Sequence, residues 1–95
     1  MSLTIVASFQ AHPGKGDALQ EVLRGLIAPT LAEDGCVQYD LHRNNSDPDH
    51  FLFYETWETR PLWRDHAASD HIAAFGALKD ELVAEMVVHE MSRVD

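Results

Sequence analysis

The spacing of apolar residues switches between strand and helix periods in a fixed order along this chain, and that order leaves few folds open. Leu3, Ile5, Ala7 and Phe9 alternate with Thr4, Val6, Ser8 and Gln10, which is the period of a strand. His12-Pro13-Gly14, with Gly16, breaks it. From Asp17 to about Glu33 the period becomes helical, with Leu19, Val22, Leu23, Leu26 and Ile27 on one face. Pro29 lies inside that pattern. It lacks a backbone donor and crowds the preceding turn, so the main helix should end near Ala28. Thr30 to Asp34 is then a looser last turn, and Gly35 the stop. Cys36 to Arg43 alternates again, with Val37, Tyr39 and Leu41 in one phase. Asn44 to Asp49 is dense in turn residues, and Phe51 to Glu58 is an aromatic-rich third strand. A hairpin centred near Asp47 sets Tyr39 opposite Glu55, Leu41 opposite Phe53 and Val37 opposite Trp57. Thr59 is a candidate helix cap, with Pro61 in the first turn of a short helix carrying Leu62, Trp63 and His66. Ser69 is a second candidate cap, opening a helix with Ile72, Phe75, Leu78 and Leu82. Met86 to Val94 is expected to be the last strand.

The order β-α-β-β-α-β is the split pattern of ferredoxin-like α+β domains. Right-handed crossovers put both helical segments on one face of a four-stranded antiparallel sheet. Residues 1–95 are expected to form a single domain, burying about 60–70% of the unfolded surface. Both strand faces carry apolar side chains: Phe51, Phe53 and Trp57 in one phase, Val6, Leu52 and Tyr54 in the other, with Val87 and Met91 as additions from the last strand. Helices cover only one face, so a homodimer through the open sheet face is expected.

Sixteen acidic against seven basic residues give a formal charge of -9. That repels a phosphate backbone or an anionic membrane surface, which argues against nucleic-acid and membrane partners. No apolar run reaches the ~20 residues of a membrane span. Met1 to Gln10 has no basic start and no long apolar centre, so it reads as a strand rather than a signal peptide. Cys36 is alone, which excludes an internal disulfide and suggests a reducing, cytoplasmic setting with the thiol as a small core filler.

Glu55, Trp57, His66 and His71 fall where the third strand hands over to a helix. Glu55 is in phase with Phe51, Phe53 and Trp57, so a helix-facing phase carries a carboxylate into apolar surroundings and raises its pKa. It would there serve as a base or orient a histidine, or else pair with Arg60 or Arg64. Imidazole suits reversible proton transfer near neutrality, against the blander reading of helix-end histidines. Tyr39, Trp57, Trp63 and Phe75 are candidates for packing a flat ring, or simply core. A ligand set of Glu55, His42, His66 and His71 lacks the spacing of zinc-binding helices, and no metal is expected. Nucleotide-binding and serine-hydrolase motifs are absent.

Glu33-Asp34-Gly35-Cys36-Val37-Gln38-Tyr39 resembles the E-x-G-C-x-x-Y segment of antibiotic biosynthesis monooxygenase domains. The resemblance continues through Asp47-Pro48, Phe51 to Trp57 (F-x-x-x-E-x-W) and His66-Ala67-Ala68-Ser69-Asp70-His71 (H-x-x-S/T-x-H), and spans about residues 3 to 94. It implies a dimeric α/β barrel with a pocket between sheet and helices. Relatives include monooxygenases of quinols and phenols that use dioxygen without cofactor, and a small quinol or phenol is the expected substrate here, with His66, His71 and Glu55 as candidates for proton handling or substrate hydrogen bonds. A non-catalytic aromatic-binding or accessory protein and a non-oxidative isomerase are the alternatives within the fold. The haem-degrading branch is matched least: only Trp57 fits, while Ala74 to Ala77 and Ala7 or Ser8 stand where its histidine and asparagine would be.

Overall fold

A computed structural model describes residues 2–95. Strands β1 (Leu3–Ala11), β2 (Cys36–Arg43), β3 (His50–Trp57) and β4 (Val83–Met91) form one sheet in the order β2-β3-β1-β4, with every pair antiparallel. Helices α1 (Gly16–Gly25), α2 (Ile27–Leu31), α3 (Arg60–Ala67) and α4 (Asp70–Leu82) complete the ferredoxin-like α+β fold expected from the period pattern. The core lies between sheet and helices, where Ile5, Ala7 and Phe9 of β1 and Phe51, Phe53 and Trp57 of β3 meet Leu19, Leu23 and Phe75. The other sheet face carries no helix and leaves Tyr54, Val87 and Met91 exposed.

Four local expectations need correction. Tyr39 pairs with Glu55 and Leu41 with Phe53, but Cys36, not Val37, stands opposite Trp57. A bulge between Cys36 and Gln38 pushes Val37 out of the ladder and into solvent. Pro29 interrupts the first helix earlier than expected, at Leu26. The carbonyl its ring would crowd belongs to Gly25, four residues back, so α1 stops there and α2 restarts. Ser69 holds the cap position of α4, yet its hydroxyl donates to the His66 carbonyl at 2.7 Å instead of capping the helix. The last strand begins at Val83, directly from α4, and ends at Met91, so Ser92 to Val94 lie beyond it.

Two devices seat the helices. Thr59 accepts from the Leu62 N–H at 3.3 Å and starts α3, with Pro61 in its first turn. Asp49, in the β2–β3 connection, accepts from the N–H groups of Gly14 and Gly16 at the start of α1. Arg43 bonds Pro48 O, Gln20 and Asp17, and ties the same connection to α1.

Candidate active site

The alternation of β3 decides the site. Phe51, Phe53, Glu55 and Trp57 share the helix-facing phase, so a carboxyl is carried into the core at 3% exposure. Its partner is neither Arg60 nor Arg64: the Trp57 indole N–H donates to Glu55 Oε1 at 2.9 Å. Tyr39, opposite Glu55 on β2, stacks on Phe53 with centroids 4.2 Å apart. His66 is the one buried residue of α3. Its ring lies 4.8 Å from that of Trp57 and 5.6 Å from that of Tyr39.

Between the sheet and helices α3 and α4 lies a cavity of about 110 Å³. Ile5, Ala7, Phe9 and Phe53 form its sheet wall, Trp63, Ile72 and Phe75 its helical wall, and Met86 and Val88 its side along β4. Its polar groups are Tyr39, Glu55 and His66. Five of the seven nominated residues therefore meet in one hollow: Tyr39, Glu55, Trp63, His66 and Phe75. Trp57 is fully buried behind it, holding Glu55. His71 stands outside it, with Nε2 3.2 Å from Thr30 Oγ1 and 3.3 Å from Ser69 Oγ. A larger depression of about 630 Å³ along α1 and β2 opens to solvent over Arg24, Leu31, Val37 and Arg43, and holds none of the nominated proton-transfer groups.

One residue that sequence reasoning left off the site joins it. Glu33 Oε2 is 2.6 Å from His66 Nδ1, and its Oε1 is 3.4 Å from His71 Nε2. The signal was present in the E-x-G-C segment, but nothing in sequence spacing pairs Glu33 with a residue 33 positions on. Glu33, His66 and His71 bring donor atoms of cation-binding type within 4.8 Å of one another, though the imidazole–carboxylate contact is itself of hydrogen-bond length. His42 pairs with Leu52 on the opposite sheet face, so it does not join them.

Burial sets the electrostatics. It raises the Glu55 carboxyl to about 7, opposed by the Trp57 hydrogen bond and reinforced by the Glu33 charge. It lowers the His66 pKa below the ordinary imidazole value, against the hydrogen bond and charge of Glu33. It holds the Tyr39 phenol well above its usual range, with Glu55 adding to the rise. The Cys36 thiol is pushed up to about 11 by burial, then by Glu55 and Glu33, so it is no nucleophile at neutral pH. The arrangement thus offers a neutral imidazole, a carboxyl that titrates near neutrality and aromatic walls.

The fold and these residues define a family. The profile described as "Antibiotic biosynthesis monooxygenase" matches residues 2–78, and the chain belongs to that family. It is 32% identical over 85 residues to "Putative monooxygenase Rv0793" of Mycobacterium tuberculosis, covering 90% of this chain and 83% of that one. The crystal structure of PA3566 from Pseudomonas aeruginosa superposes with a TM-score of 0.95 at 33% identity, over 99% of this chain and 95% of that one. SO0527 from Shewanella oneidensis gives 0.92 at 31% identity, over 97% and 90%.

Proposed function

We propose that this chain is a cofactor-independent monooxygenase acting on a single-ring quinol or phenol with dioxygen. The observation that carries the reading is one hollow, lined mostly by apolar side chains, into which a neutral imidazole and a protonatable carboxyl both project. Its size limits the substrate. A cavity of ~150 Å³ takes up benzene, so about 110 Å³ admits at most one ring and excludes polycyclic phenols. Family membership and the names of relatives support oxygen chemistry and leave the substrate to be found.

His66 takes the hydroxyl proton and the electron pair stays on the ring oxygen. The phenolate gives one electron to triplet dioxygen, which avoids the spin barrier to direct reaction. The semiquinone and superoxide recombine, forming a carbon–oxygen bond to a ring peroxide anion. Loss of the ring hydrogen as a proton then makes a carbonyl and breaks the O–O bond. That ring proton and the proton held by His66 both go to the departing oxygen, which leaves as water. The product is a hydroxyquinone, and His66 is restored. The apolar walls of Phe9, Phe53 and Phe75 keep water from the radical pair. The working form is a homodimer joined through the helix-free sheet face, and no helix among the described residues is long and apolar enough to cross a membrane.

Oxygen uptake with single-ring hydroquinones, chelator present and flavin absent, tests this reading. His66→Ala should lower turnover about 10²-fold, with a smaller loss for His71→Ala outside the cavity. Product mass must rise by one oxygen with the loss of two hydrogens. A product of unchanged mass would assign an isomerase, and a bound ring without turnover a binding protein.

A further inference from the structure

We infer that Glu33 is the positioning residue of this site: it fixes His66 with the proton on Nδ1, so that the lone pair of Nε2 faces the cavity. The inference deepens the oxygenase reading and rests on it only for its kinetic consequence. His66 lines the 110 Å³ cavity and also a separate outer recess of about 170 Å³, bounded by Glu33, Asp34, Leu62 and Asp65. The ring is therefore a partition with Glu33, Asp34 and Asp65 on its outer side and Glu55 on the cavity side. An ionised carboxylate only accepts hydrogen bonds, so the nitrogen 2.6 Å from Glu33 must carry the hydrogen. A neutral imidazole has one N–H, which leaves Nε2 unprotonated. Glu33 carries the task that a buried acid performs for the histidine of a hydrolase triad.

The carboxylate is itself held. Gly35, at φ 84°, turns the chain so that its Cα lies against the Leu62 side chain, where a Cβ would come within 2.5 Å. That close approach presses the Glu33 loop onto α3. The Ser69 hydroxyl spends its hydrogen on the His66 carbonyl, so toward His71 it can only accept. The hydrogen between them therefore sits on His71 Nε2, which also faces Glu33 Oε1 at 3.4 Å and braces the second oxygen. From the sheet, Glu55 and Tyr39 are the other titratable groups beside His66.

Long-range proton–nitrogen correlation on the nitrogen-15-labelled full chain at pH 8 reads the tautomer directly. His66 should show hydrogen on Nδ1, against the Nε2–H form that free histidine favours. Glu33→Gln retains a carbonyl acceptor and should keep that form, while Glu33→Ala should switch it to Nε2–H. Nε2–H in the unaltered chain overturns the inference, as does an unchanged tautomer in a folded Glu33→Ala. Should Glu33→Ala fail to fold, the unaltered chain and Glu33→Gln still decide. In kinetics, Glu33→Ala should lower kcat by about 10²-fold with KM little changed, and Glu33→Gln should recover most of it. A correct tautomer in a chain that oxidises no quinol upholds the role of Glu33 and overturns the oxygenase instead.

Discussion

Glu55 is in the core because residues two apart on a strand share a face, and Phe51, Phe53 and Trp57 all need that face. The Trp57 indole offers one hydrogen bond in return, which is not enough to keep the carboxyl in its ordinary range. A carboxyl whose folded pKa is raised contributes stability that is fully present below its unfolded value, 4.5 here, and lost as pH climbs through about 7. The rise from 4.5 to about 7 corresponds to on the order of 3 kcal/mol. Glu55→Gln keeps an acceptor for Trp57 and cannot ionise. Urea unfolding should therefore find it more stable than the unaltered chain at pH 8 by up to about 3 kcal/mol, with the gap closing by pH 4.5. A gap that does not change with pH would mean that Glu55 is ionised throughout. His66 has the opposite sign: its folded pKa is lowered, so its contribution is lost as pH falls below 6.5. His66→Gln should accordingly flatten the acid side of the same stability profile.

At the scale of elements, the connections do the placing. Gly35→Ala forces a side chain into a positive-φ position and against Leu62, which should cost about 2–4 kcal/mol and loosen the Glu33–His66 contact, read by thermal unfolding and the His66 nitrogen shifts. Thr59→Ala removes the cap of the helix that carries His66 and should cost about 1 kcal/mol without changing the fold. What could be read from the chain follows the same division. The hairpin register was legible as far as Tyr39 and Glu55 because alternation and the Asp47 turn agree. It failed at Val37 because the bulge arises where Glu58 N–H reaches back to Gly35 O, a tertiary contact with no periodic trace. Pro29 announced a break but not its place, which depends on the Gly25 carbonyl one turn back. Tyr39, Glu55 and His66 declared themselves by residue type and phase. The link from Glu33 to His66 did not, since it needs the Gly35 turn seated on Leu62.

The whole molecule is a slab, 18 Å along its shortest axis, made of one sheet and one layer of helices. Its accessible surface of 5869 Å² exceeds the about 5,500 Å² typical of a monomer of its mass. Part of that excess is the helix-free face, where Tyr54 of β3 and Val87 and Met91 of β4 lie open beside Val6. β4 is an edge strand paired only with β1, and its residues alternate between two tasks: Met86 and Val88 line the cavity, while Val87 and Met91 face outward. A second copy seated on the outer face would therefore hold the cavity wall in place from behind. Sedimentation should give twice the mass of 10.7 kDa, and added salt should favour the pair because each copy carries a formal charge of -9. Val87→Glu puts a charge on that face along its β4 side and should yield monomers. It should also lower quinol turnover, although Val87 does not touch the cavity, because β4 loses its backing. A Val87→Glu chain that still sediments as a pair would place the interface elsewhere, and monomers with full turnover would show that the β4 wall stands alone.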